Sequence, residues 1–142
     1  MDIWEEIKPE NILQEHFKNP FKMDPDWLRL LAKIQRRANA ICVEYKLPRV
    51  ELGKRIISDY RDDQANANAV GAKNSAHKEL PCRCCDIDIK EKDEITDSIE
   101  RFVIMKAALD CGVLRIGLYV DRGAIHLDGS KTLPQPRIWT TV

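Results

Sequence analysis

Two histidines and one aspartate carry the most promising chemistry in this chain. His77 and Asp86 lie in Ser75-Ala76-His77-Lys78-Glu79-Leu80-Pro81-Cys82-Arg83-Cys84-Cys85-Asp86, and His126 lies in Ile125-His126-Leu127-Asp128. Two imidazoles and one carboxylate suit a catalytic Zn²⁺ that keeps its fourth position open for water. The chain has only three histidines, and two of them sit in these segments. A zinc hydrolase is therefore the first chemistry to consider. The remaining histidine, His16, is far from the others in sequence and reads as a surface or packing residue.

Cys82, Cys84 and Cys85 are the second place to look. With His77 they offer a structural zinc site, because thiolates are favoured ligands. Their spacing is tighter than the usual paired-cysteine pattern, and no second pair follows. A cysteine–histidine hydrolase using Cys84 or Cys85 with His126 lacks any recognisable local signature.

The elements that must position these residues are legible from periodicity. A short helix is expected around Pro9–Lys18. Asp24 caps and Pro25 opens a long helix, in which Trp27, Leu30, Leu31, Ile34, Ala38, Ile41, Cys42 and Tyr45 recur on one stripe until Leu47-Pro48. Arg55–Asp59 reads as a strand, and Asp62–Asn74 as a loop or broken helix. Asp86–Ile89 alternates acids with isoleucines, as a strand does. A helix follows with Ile95, Ile99, Phe102, Met105 and Leu109 on its stripe and Gly112 as its stop. Leu114–Val120 and Ala124–Asp128 form a hairpin through Asp121-Arg122-Gly123. Trp139 anchors a last short strand. Together these predict an α+β domain, a small antiparallel sheet with flanking helices. Neighbouring strands of such a sheet present Asp86, Asp88, His126 and Asp128 to one cleft.

The bulk numbers suit one domain over residues 1–142, with 1–23 as an N-terminal extension packed on it. The sequence is 44% hydrophobic and 32% charged, as in ordinary globular proteins. Lys+Arg and Asp+Glu both number 23, so no net field recruits nucleic acid or a membrane surface. The five cysteines are odd in number and crowded, so reduced thiols are expected. The sequence starts without a basic or apolar run, so a cytoplasmic chain is expected, and a monomer.

Four blocks resemble the D-alanyl-D-alanine carboxypeptidase, VanX and Hedgehog-like group of zinc proteins, in particular its small phage and bacterial peptidase branch. Ser58-Asp59-Tyr60-Arg61 resembles the family's Ser-Gly-Tyr-Arg. Ser75-Ala76-His77 followed by Cys82-Arg83-Cys84-Cys85-Asp86-Ile87 resembles Ser-x-His-x-x-Gly-x-Ala-x-Asp-Ile. Arg115-Ile116-Gly117-Leu118-Tyr119 resembles the Gly-x-Tyr strand, and Ile125-His126-Leu127-Asp128 with Trp139 resembles the closing His-x-Asp…Trp.

The resemblance implies that His77, Asp86 and His126 are zinc ligands. It implies that Arg61 steadies substrate or transition-state oxygens, with Tyr60 and Ser75 beside it at substrate-binding positions. The family's substrates are peptides with D-amino acids, mostly peptidoglycan stems. The chain departs from the pattern in two ways. Lys78-Glu79-Leu80-Pro81 lengthens the interval between His77 and Asp86, leaving Asp88 as a weaker alternative ligand. Gly123 and Ala124 stand where family enzymes often carry the general base, and neither moves protons. Asp128 is the substitute expected for catalysis, with Asp121 behind it; equally, Asp128 orients a ligand. Two classes follow, a zinc peptidase and a non-catalytic zinc domain of the same fold.

Overall fold

The computed structural model describes residues 2–68, 75–89, 93–120 and 122–141. Its elements are α1 (Ile3–Ile7), α2 (Pro25–Glu44), β1 (Ile56–Ser58), α3 (Asp63–Asn68), β2 (Cys84–Asp88), α4 (Glu94–Asp110), β3 (Arg115–Tyr119), β4 (Ala124–Asp128) and β5 (Arg137–Thr141). The architecture is α+β, with one five-stranded sheet in the order β1-β2-β4-β3-β5.

The sheet is mixed, which corrects the expected antiparallel arrangement. β1, β2, β4 and β3 pair antiparallel, but β5 runs parallel to β3. The cause is the connection over residues 129–136. β4 ends at Asp128 opposite Arg115, and β5 begins at Arg137 on the other side of Arg115. The chain therefore crosses only the start of β3, and β5 must run in β3's direction.

α2 begins as its sequence predicts: Asp24 accepts the Asp26 N–H at 2.9 Å, and Pro25 fills the first position. Its inward face includes Trp27, Leu31, Ile34, Ala38, Ile41 and Cys42. α4 is capped by Asp93, which accepts from Thr96, and it stops before Gly112 at φ +89.

The buried face of α4 is not the expected stripe. Ile95 is 74% exposed, and Phe102 and Leu109 are also exposed; Glu100, Val103, Ile104, Ala107 and Ala108 are buried instead. Residues 99–109 are apolar nearly all round, so periodicity cannot choose a face. Partners choose it: Arg55 clasps Glu100, and the side with Ala107 and Ala108 is buried in the core.

The N-terminal segment differs as well. Its helix is α1, capped by Asp2, and Pro9–Lys18 instead contains short 3₁₀ turns. Asn11 at φ +57 breaks the path of the chain there. Ile7, Ile12 and Phe17 nevertheless join the one hydrophobic core shared by α2, α4 and the sheet. α3 occupies part of the expected loop or broken helix; residues 69–74 lie outside the described residues.

Strand alternation gives the sheet a core face with Cys85, Ile87, Ile116, Ile125 and Leu127, all fully buried. The other face is polar and ordered in rows by register. Asp86, His126, Gly117 and Trp139 form one row across β2, β4, β3 and β5. Cys84, Asp128, Arg115 and Arg137 form the next, and Asp88, Ala124, Tyr119 and Thr141 the row on the other side. No helix among the described residues is long and apolar enough to cross a membrane.

Candidate metal centre

Asp86 and His126 meet because they are direct register partners on adjacent strands. His77 reaches them from a 3₁₀ turn, Ala76–Lys78, whose first N–H groups need an acceptor. Ser75 supplies it: its Oγ accepts the His77 N–H at 3.2 Å. The turn is clasped from the other side by β1's exit, where the Arg61 N–H donates to the His77 carbonyl at 2.7 Å. The His77 ring in turn bonds through Nδ1 to the Asp59 carbonyl.

That last bond fixes a tautomer. A carbonyl only accepts, so Nδ1 carries the proton and the Nε2 lone pair points elsewhere. Nε2 is buried without a hydrogen-bond partner, although Asp86 Oδ2 lies 3.3 Å away. His126 is set by the same logic. Its Nε2 lies 2.6 Å from Asp128 Oδ2, and its Nδ1 faces Asp86 Oδ1 at 2.9 Å.

The ligand atoms of His77, Asp86 and His126 all lie within 4.8 Å of one another, and all three residues are buried. This group could hold a metal ion. The donor set fits one: His77 carries an orphaned, buried lone pair, and Asp86 keeps the charge a ligand needs. Burial pushes the Asp86 carboxyl up, but the bond from His126 and the nearby His77 outweigh it and hold it well below its ordinary value. Burial also opposes charging of His126, yet Asp128 and Asp86 push its pKa up to about 9.

Asp128 stands behind His126 on the side away from Asp86. It is fully buried, and its Oδ1 accepts from Arg115 Nε at 2.8 Å and from the Ser130 N–H at 3.0 Å. Its carboxylate is thus occupied by His126, Arg115 and Ser130, which suits orienting a ligand and leaves no lone proton-carrying face. Asp121, the other acid expected near the site, lies outside the described residues.

Of the expected substrate residues, Ser75 and Arg61 both bond to the His77 backbone. Arg61 is half-buried, with its Nε buried and unpartnered. Tyr60 instead makes its contacts with the N-terminal segment: its carbonyl accepts from Asn19, and Lys22 lies over its ring at 5.9 Å. His16 accepts the Leu13 N–H within its own turn, a local structural role. Among the described residues the cysteines assemble no ligand cluster. Cys84 and Cys85 are strand residues whose thiols burial pushes up, away from the ligand form.

Sequence reasoning gave no role at the site to Asp59 or Arg115, and quoted Tyr119 and Trp139 only as parts of motif blocks. Asp59 holds His77 by its carbonyl, while its side chain accepts from the Lys18 and Asn19 N–H groups at 2.7 and 3.2 Å. Arg115 anchors Asp128. Tyr119 and Trp139 lie beside His126, with ring centroids at 5.9 and 5.5 Å. Gly117 makes room for the indole, since a Cβ there would sit 2.8 Å from Trp139. Period-two counting along β3 places Arg115, Gly117 and Tyr119 on one face, a signal that was available in the sequence.

No family model, curated protein or solved structure matches this chain.

Proposed function

We propose that the chain is a zinc-dependent peptidase of the D-alanyl-D-alanine carboxypeptidase and Hedgehog-like fold, cleaving D-amino-acid peptide bonds such as those of peptidoglycan stems. One observation carries this reading. Two buried imidazole nitrogens, each with its tautomer set by a partner behind it, converge with an ionised carboxylate. Among these donors His77 Nε2 is left buried without a hydrogen-bond partner, a lone pair that an ion would take up.

His77, Asp86 and His126 would hold the ion. Zn²⁺ there would supply Lewis acidity towards water and an amide carbonyl. The chain's own residues do the rest. Asp128 and the Asp59 carbonyl keep the two imidazoles in the ligating tautomer. Ser75 fixes the turn that carries His77. Arg61 offers N–H donors to a substrate oxygen, for which a planar guanidinium is well shaped. Tyr119 and Trp139 wall the centre with aromatic surface.

A second reading, a zinc domain with a structural or recognition role, is favoured by one specific observation. Asp128 is fully engaged, and Gly123 and Ala124 carry no proton-transferring group.

Metal analysis by mass spectrometry tests the first step. One zinc per chain is expected, lost in His77→Ala and His126→Ala and kept in Cys82→Ser and Cys84→Ser. Zinc that survives both histidine substitutions would overturn the site. Cleavage of a stem pentapeptide, read as release of D-alanine (carboxypeptidase) or of internal fragments (endopeptidase), then separates the two readings; a zinc-loaded chain that yields neither is the non-catalytic domain.

A further inference from the structure

Glu79 follows the turn of His77 and reaches the support of His126. Its N–H donates to the Ala76 carbonyl at 3.2 Å, so its backbone closes the 3₁₀ turn that carries His77. Its half-buried carboxylate accepts the Ser130 hydroxyl at 2.7 Å and the Thr132 hydroxyl at 3.3 Å. Ser130 and Thr132 both belong to the connection between β4 and β5.

The direction of the Ser130 bond is forced. Its Oγ already accepts the Thr132 and Leu133 N–H groups at 3.3 and 3.1 Å, which use the two lone pairs of a hydroxyl. The hydroxyl proton must then point to an acceptor, and the Glu79 carboxylate is that acceptor. An ionised acceptor makes this one of the stronger hydrogen bonds. Ser130 is buried, so without Glu79 the proton is left unpaired.

The same serine backs the other histidine. Its N–H donates to Asp128 Oδ1 at 3.0 Å, and Asp128 Oδ2 lies 2.6 Å from His126 Nε2. Further along the connection, the Pro134 carbonyl accepts from Arg115, whose Nε donates to Asp128 Oδ1 at 2.8 Å. The connection therefore sets both groups that fix Asp128. Sheet register holds Asp86 against His126, but His77 stands on a turn outside the sheet. The bonds from Asp59 and Arg61 tie that turn to the exit of β1. Glu79 ties it to the His126 side.

We propose that Glu79 is a positioning residue: it holds the turn of His77 and the support of His126 at one spacing, and so sets the geometry of the centre. Calling that geometry a ligand set rests on the metal reading; the tie between the two histidines does not.

Glu79→Ala, Glu79→Gln and Ser130→Ala in the full chain test this, with Glu10→Ala as a control that breaks an ion pair to Arg36 on α2. Three quantities are read: zinc affinity by chelator competition, the visible absorption of the Co²⁺-loaded chain, and the His126 Nε2–H resonance of the metal-free chain. Glu79→Ala is expected to weaken zinc about tenfold or more, the scale for losing a partner behind a ligand. It should also alter the cobalt absorption, which reports ligand geometry. Glu79→Gln should keep both near wild type, since its amide oxygen accepts from the same two hydroxyls. Ser130→Ala should reproduce the loss while retaining the N–H that holds Asp128. Combined with Glu79→Ala it should add little, as for two residues acting through one bond. Glu10→Ala should leave zinc affinity and cobalt absorption unchanged, whatever it does to stability.

A Glu79→Ala chain with wild-type zinc affinity and cobalt absorption overturns the proposal, even if it is less stable. An equal loss in Glu79→Gln overturns it too. Should Glu79→Ala fail to fold, Ser130→Ala carries the same test. A wild-type chain that binds neither metal loses the metal reading alone. There, an Nε2–H resonance weakened by Glu79→Ala and Ser130→Ala keeps the positioning role, and an unchanged resonance overturns it.

Discussion

Asp128 and His126 are locked into one unit, with Oδ2 2.6 Å from Nε2 and the ring's Nδ1 left to face Asp86. Two residues on one strand face meet because alternate side chains share that face. The carboxylate is itself held by Arg115, so the imidazole cannot turn without breaking its bond to a fixed acceptor.

Asp128→Asn is expected to weaken zinc binding by about 10–100-fold, because the amide no longer enforces the Nε2–H tautomer. Asp128→Ala should also cost about 3–5 kcal/mol in stability, since Arg115 is left buried without a counter-charge. Competition with a chelator and urea midpoints measure the two effects. Unchanged zinc affinity with lost turnover would instead make Asp128 a proton carrier.

The pH dependence of the zinc-stripped chain follows from the same unit. Burial lowers the pKa of His126, but Asp128 and Asp86 overcome it and raise it from 6.5 to about 9. The folded chain holds this proton more tightly than the unfolded one. The stabilisation is therefore complete below pH 6.5 and is lost as pH rises through about 9. Asp86 and Asp128 are held below their ordinary value, so their contribution is lost on acidification. Denaturant midpoints should peak at roughly pH 5 to 6.5. Zinc must displace the His126 proton, so its affinity should rise over the range where stripped-chain stability falls. A zinc affinity independent of pH between 7 and 9 would contradict this.

Gly117→Ala should perturb Trp139 first. The added Cβ would meet the indole at 2.8–2.9 Å, and the ring must leave His126 to accommodate it. The expected cost is about 1–3 kcal/mol, with a shift in tryptophan fluorescence. An unaltered emission spectrum would mean that the ring does not depend on this gap.

Asp59→Ala separates scaffold from site. Its carboxylate receives the Lys18 and Asn19 N–H groups, whereas His77 is bonded to its carbonyl, which alanine retains. The 1–23 segment should loosen, at about 1–3 kcal/mol per donor left unpaired. Faster hydrogen exchange at residues 18 and 19 with zinc still bound is the expected result. Loss of zinc would show that the segment also holds the centre together.

How much of this was legible in the sequence depends on the range of the information. α2, the α4 cap and stop, and the β3–β4 hairpin are set by neighbours a few residues apart: Asp24 with Pro25, Asp93 with Thr96, and the positive φ of Gly112 and Gly123. Period two likewise placed His126 and Asp128 on one strand face. Residue types raised His77, Asp86 and His126 as candidate ligands and the family resemblance implied the full set; the structure brings the three together as a group that could hold a metal ion.

Only tertiary structure decided which groups meet. The Asp86–His126 register, the parallel course of β5 and the buried face of α4 depend on residues far apart in the chain. Asp128 was legible as an acid near a histidine. Its role turned on which nitrogen it faces and what else holds it, and that depends on strand pairing and on Arg115 rather than on spacing along β4.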